Sequence, residues 1–234
     1  MFTLGHFIYI GLTIVGIIIA LKCSKNLSKM QVHVIIKRLT IILCVLEVIR
    51  IVYCIIEGSI YDVNNYLPLY YCSMLLYAGL LSSFGKGKFK RIGDVFIATG
   101  SIIGGIVFIL YPSTSLPMYP ALHFISIHSF FFHGTMVYLG ILVNRTNYIE
   151  VEKNDIKYFA GLVGIMCIIA VFINNIFDSN LMFISKNFPG NPIEILYNIT
   201  NGSILFTLIM SVAQMTIPFY ISYYVLKRKL TSRG

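Results

Sequence analysis

The sequence predicts an all-α polytopic membrane protein, a bundle of seven transmembrane helices forming one integral domain over residues 1–234, and three observations predict it. The chain is 57% hydrophobic and only 12% charged, with a mean hydropathy of +0.83, so a soluble globule built from it would lack polar groups to cover its surface. Its apolar runs are near 20 residues long, about what crosses a ~30 Å hydrocarbon layer at 1.5 Å per residue. Its basic residues fall in alternate gaps between those runs.

The first run, about 3–21, has no positive flank before it and is followed by Lys22, Lys25 and Lys29 instead of a small-residue cleavage site, so it reads as a retained anchor. The second, about 36–57, carries Glu47 and Arg50, which an i, i+3 spacing places on one face. The third, about 67–84, is the shortest and opens at Pro68, a residue suited to the first turn because its missing N–H has no helical partner there. The fourth, about 92–111, contains Gly104-Gly105 and stops before Pro112. The fifth and longest, about 121–143, holds three histidines and two serines. The sixth, about 158–177, ends in Asn174, Asn175, Asp178 and Asn180, and the seventh, about 204–226, is kinked by Pro218. The Ile, Val, Phe and Tyr content would fit strands in water, but these runs are too long for barrel strands, and in lipid a helix satisfies its own backbone.

Sixteen of the eighteen Lys and Arg residues sit in the gaps after the first, third and fifth runs and in the tail Lys227, Arg228, Lys229 and Arg233. Short basic loops stay in the cytoplasm, so the N-terminus is expected outside and the C-terminus inside, with Lys186 the one basic residue of the outer loops. The formal charge of +9 is thereby spread over membrane-flanking loops facing anionic headgroups, and nucleic acid is excluded as a partner. The five cysteines form an odd set without CxxC or histidine spacing, so neither a disulfide framework nor a metal site is expected, and no cofactor is called for.

Polar residues inside the runs gather toward the outer face. Ionisable groups at membrane depth are costly and usually face the bundle interior, so Glu47 and Arg50 are either a functional pair or a self-neutralising strut. In the fifth run Ser126, Ser129 and His133 form one stripe, His128 points elsewhere, and His123 lies near the outer interface. Cys72, one turn below the expected start of the third helix, would feel the positive helix end that favours a thiolate. Counting 1.5 Å per residue from each outer boundary, Glu47, Arg50, Cys72, Ser129, His133 and Asn174 share roughly the outer two-thirds of the bilayer. The second, third, fifth and sixth helices are thus expected to surround a polar pocket opening outward.

Leu67-Pro68-Leu69 followed by Cys72, Gly104-Gly105 with Pro112, His123…Ser129…His133, and Asn174…Asn180-Leu181-Met182-Phe183 together resemble the YwaF-like bacterial integral membrane family. Relatives commonly read LPLHLC, and here Tyr70 stands where that histidine falls. The wider superfamily is similar to a eukaryotic transmembrane ether-phospholipid acyltransferase with a cysteine and a histidine, and more distantly to androgen-induced transmembrane lipid hydrolases. The resemblance implies a multi-pass protein of the bacterial plasma membrane acting on lipid acyl esters, with Cys72 as nucleophile, His133 as base, and Asn174 or Arg50 steadying an oxyanion or a headgroup phosphate. Glu47, Ser129, His123 and His128 are its supporting candidates. Two other classes use the same pocket differently. A small-solute or proton-coupled transporter would relay protons through Glu47 or His133, and a non-catalytic membrane protein would use the pocket for packing alone. The stretch 178–203, with Pro189, Gly190 and Pro192, reads as a lid or partly re-entrant segment.

Overall fold

Thr3 accepts a hydrogen bond from His6 N–H and starts α1 (Leu4–Cys23). Ser28 and Gln31 form a reciprocal capping box that starts α2 (Lys29–Glu57) seven residues earlier than hydropathy alone implies, so Lys29, Lys37 and Arg38 lie on the helix and not in a loop. A single turn, α3 (Val63–Tyr66), precedes α4 (Met74–Phe84), α5 (Gly87–Ala98) and α6 (Gly100–Leu110). α7 (Phe124–Arg145), α8 (Ile156–Phe177), the short α9 (Ile193–Ile199) and α10 (Ile204–Thr231) complete the chain. The computed structural model describes residues 3–58 and 60–231; Arg233 of the expected basic tail lies outside them. Among the described residues every regular element is helical.

Among the described residues six helices are long and apolar enough to cross a membrane: Leu4–Cys23, Lys29–Glu57, Gly87–Leu110, Phe124–Arg145, Lys153–Phe177 and Ile204–Leu226. The third of these is α5 and α6 joined across Thr99, where φ −122° and ψ −73° break the helix and the Thr99 hydroxyl donates to Val95 O at 2.7 Å.

The expected third helix is the one that differs. Only eleven residues of 67–84 are helical, about 16 Å of rise against a ~30 Å hydrocarbon layer. Proline disfavours helical geometry at the residue before it, and Leu67 is accordingly extended, at φ −74° and ψ 122°. Pro68 therefore sits ahead of the helix, not in its first turn. Irregular backbone at membrane depth needs partners from elsewhere. Arg50 Nη1 and Nη2 donate to Asn65 O and Tyr66 O at 2.5 and 3.3 Å, Tyr77 OH donates to Pro68 O at 3.0 Å, and Met182 N donates to Leu69 O at 3.1 Å.

Small residues let the helices approach closely, as membrane packing favours. A Cβ on Gly93 would sit 2.2 Å from Ala78 O, which fixes how tightly α5 lies on α4, and one on Gly105 would sit 2.8 Å from His133 O, where α6 lies on α7. Phe159 stacks between Phe96 and Phe219, centroids 5.6 and 5.7 Å apart, joining α5, α8 and α10. One end of the bundle carries Lys90, Arg91, Asp94 and Asp155; the other carries the segments 58–73, 111–123 and 178–203, and a cavity opens there.

Candidate functional site

Helix packing at that second end leaves a cavity of about 930 Å³. Its walls come from α2, the irregular segment 64–73, α6, α7, the strap 180–193 and α10. Glu47, Arg50, Cys72, His128, Ser129 and His133 all line it. Two expected members do not. Asn174 is buried in α8 but turned to the strap, donating to Leu181 O at 3.1 Å and Ser185 Oγ at 2.7 Å while its Oδ1 accepts from Ser179 Oγ and Leu181 N. It shapes the strap and leaves the cavity wall to α6 and α10. His123 is the N-cap of α7: its Nδ1 accepts from Ile125 N at 3.2 Å, so Nε2 carries the proton and donates to Tyr53 OH at 3.0 Å.

Cys72 is half-buried, two residues ahead of α4. Its carbonyl accepts from Leu75 N, and the Cys72 and Ser73 N–H groups enter no backbone hydrogen bond. The start of this helix thus puts its positive end beside the thiol, and the Ser73 N–H and hydroxyl hydrogen-bond that thiol.

His133 is held on three sides. A backbone carbonyl can only accept, so its 2.6 Å contact with Ser129 O places the proton on Nδ1 and leaves Nε2 with a lone pair. The ring stacks on Phe108, centroids 3.6 Å apart and 9° from parallel, and Phe132 lies 5.6 Å away. Nε2 is buried and has no hydrogen-bond partner in the protein. No hydrogen bond joins it to Cys72, although both side chains face the same space.

Arg50 lies between α2 and the irregular segment. Its Nε and Nη2 grip Glu47 at 3.0 and 2.6 Å, Nη1 and Nη2 also serve the Asn65 and Tyr66 carbonyls, and Nη1 lies 3.9 Å from Cys54 Sγ. All five guanidinium hydrogens are thereby committed, which makes Arg50 a strut for the segment that carries Cys72. His128, expected to face away, instead reaches Glu47 at 3.6 Å. The cavity is wide enough to touch two faces of α7, with α2 beyond His128 and Phe108 of α6 against His133.

The strap adds residues that hydropathy did not single out. Met182 and Phe183 hold φ 58° and 53°, a left-handed conformation costly for side-chain-bearing residues and concentrated at functional sites. Gln214 of α10 secures them by donating to Met182 O at 2.8 Å, while its own Oε1 is buried without a partner. A lone amide inside an apolar run was a readable signal at Gln214. Phe108 gave none, since an aromatic in an apolar helix is ordinary.

Fold and cavity define a multi-pass helical membrane protein with a chamber, lined by both polar and apolar side chains, at one end of its bundle. The chain belongs to the TMEM164 family, which it matches over residues 1–223. No curated protein matches it. No solved structure matches it.

Proposed function

We propose that the chamber carries out cysteine-based acyl transfer or hydrolysis on lipid acyl esters, with Cys72 as nucleophile and His133 as general base. The observation that carries this reading is that Cys72 and the unpartnered Nε2 lone pair of His133 border one cavity. With a substrate bound, or one water between them, Nε2 takes the thiol proton as Sγ attacks the ester carbonyl. The Ser73 N–H supports the thiolate, and the Cys72 N–H with the positive end of α4 stabilises the developing oxyanion, the role first assigned to Asn174 or Arg50. Collapse breaks the ester C–O bond, His133 returns the proton to the departing alcohol, and the acyl group remains on sulfur as a thioester. Water then releases a fatty acid, or a lipid hydroxyl takes the acyl group. Glu47 and Arg50 position the segment bearing Cys72, and Ser129 fixes the His133 tautomer. In this reading α4 makes a seventh, half-irregular crossing, the cavity end is extracytoplasmic, the N-terminus is outside, and the protein sits in a bacterial plasma membrane as a YwaF-like relative with lipids as partners.

Intact mass spectrometry of the protein purified from its membrane tests it, before and after neutral hydroxylamine. The expected result is an acyl-sized, hydroxylamine-labile adduct on the wild type, absent in Cys72→Ser and reduced about a hundredfold in rate of formation in His133→Ala. An adduct that persists in Cys72→Ser removes this mechanism.

The buried Glu47–His128 contact supports a second reading, a proton-coupled solute carrier. Transport that collapses with the proton gradient and survives Cys72→Ser would favour it.

A further inference from the structure

The cavity has two kinds of rim. At the strap end Asn64, Ser113, Thr114, Lys186, Asn187 and Asn191 supply polar groups. Between α6 and α10 the lining is Ile103, Val107, Met210, Ala213 and Ile217, with Gln214, whose amide is tied to the strap, the one polar side chain on this stretch of α10. Val107 and Ile217 are 59% and 53% exposed while also lining the cavity. A side chain that borders an internal space and also stands on the apolar outer surface marks an opening through the wall.

α10 is hydrogen-bonded on either side of this opening, to the break ahead of α6 on one side and to the strap on the other. Ser222 Oγ donates to Thr99 O at 3.0 Å, pinning α10 to the break between α5 and α6. Toward the cavity end α10 is tied to the strap and not to α6, through Gln214 to Met182 O and Thr207 Oγ1 to Ile184 O at 2.7 Å. Pro218 lies between these fastenings, removes the hydrogen bond to the Gln214 carbonyl and bends α10. Val107 lies three residues from the end of α6, about 4.5 Å, and Ile217 thirteen residues from the start of α10, about 20 Å, so the slit runs from near the end of the bundle down to a depth where an exposed isoleucine suits hydrocarbon.

We propose that this slit is a lateral portal through which a hydrocarbon chain of a bilayer lipid extends from the chamber into the surrounding leaflet, with the lipid's polar part at the strap-end rim. The proposal rests on reading the chamber as an acyl-ester site. It adds where the chain runs: an amphipathic ligand with one apolar and one polar rim to satisfy needs no full extraction from the bilayer, and its ester is left at the level of Cys72.

The test uses protein in lipid nanodiscs with Cys23, Cys44, Cys54 and Cys167 replaced by Ala, so that Cys72 is the remaining thiol. Its labelling is timed with a charged, water-soluble methanethiosulfonate and with a maleimide carried on a phospholipid acyl chain. Val107→Trp with Ile217→Trp fills the slit; the expected result is about tenfold slower labelling by the lipid-borne reagent, with the water-soluble reagent changed less than about twofold. Val107→Ala with Ile217→Ala widens it and speeds the lipid-borne reagent alone. Unchanged lipid-borne rates in both pairs, or equal changes for both reagents, overturn the portal. Labelling needs no turnover, so a missing acyl adduct with selective labelling would sink the acyl-transfer reading and leave the portal standing.

Discussion

The two ends of the bundle use buried polar groups in opposite ways. At the basic end Asp94 accepts from Ser82 and Lys90 at 2.5 Å each, Lys90 also reaches Tyr148 OH at 2.7 Å, and Arg91 grips Asp155 at 3.0 and 2.5 Å. These groups satisfy one another. At the cavity end His133 Nε2, Gln214 Oε1 and Asn187 Oδ1 are buried without protein partners, all in residues lining one chamber. Most buried polar atoms are paired, so a cluster of unpaired ones around an open space marks a place for a ligand, whereas the closed network marks a fastening.

The largest test of that contrast is Arg91→Ala. It strands the buried Asp155 carboxylate and is expected to lower stability by about 2–3 kcal/mol, less than a fully buried pair would lose because Arg91 is partly exposed. Cys72→Ser, at the other end, is expected to stay within about 0.5 kcal/mol of wild type. Thermal unfolding in one detergent compares them, and equal losses would erase the distinction between fastening and chamber.

Arg50→Lys is the intermediate case. A lysine has no planar fork and cannot hold Glu47 twice while serving two carbonyls, so a loss of about 1–2 kcal/mol is expected, concentrated in faster amide exchange over residues 64–73. Exchange that rises evenly through the bundle would deny Arg50 its role as a local strut.

The smallest effect lies on the strap. The Gly190 N–H, and then the Asn187 amide, hold the exposed Glu194 carboxyl below the usual carboxylate range. A depressed folded pKa gives stabilisation that is complete above the unfolded value of about 4.3 and fades as pH falls toward the folded one. Acid-protease cleavage between residues 187 and 194 is therefore expected to accelerate below about pH 4 in the wild type and to lose that dependence in Glu194→Gln. An identical pH profile in the variant would show that this carboxylate does not hold the strap.

Helix identity was legible because apolar length and lipid's demand for internal backbone bonding leave few alternatives. The short α4 was not, since hydropathy registers Leu67, Leu69 and the tyrosines as membrane-compatible without showing that Pro68 delays the helix. Cys72, His133 and the Glu47–Arg50 pair stood out as polar exceptions in apolar runs. The stretch 178–203 was legible as a cover over the pocket, but its anchoring was not, because that depends on backbone groups at Met182 and Leu69, which carry no side-chain signal.

The brevity of α4 also bears on how the chain is made. Eleven helical residues, two of them serines, offer too little greasy length to leave the insertion machinery for lipid unaided. It packs on α5, seated on it at Gly93 and joined by the link at 85–86, and on α2, where a Cβ on Gly79 would sit 2.3 Å from Thr40 Oγ1. On the proposed reading of α4 as a seventh crossing, the half-helix would enter lipid as one arm of a hairpin with the 24-residue Gly87–Leu110 stretch synthesised after it, against the α2 already in place.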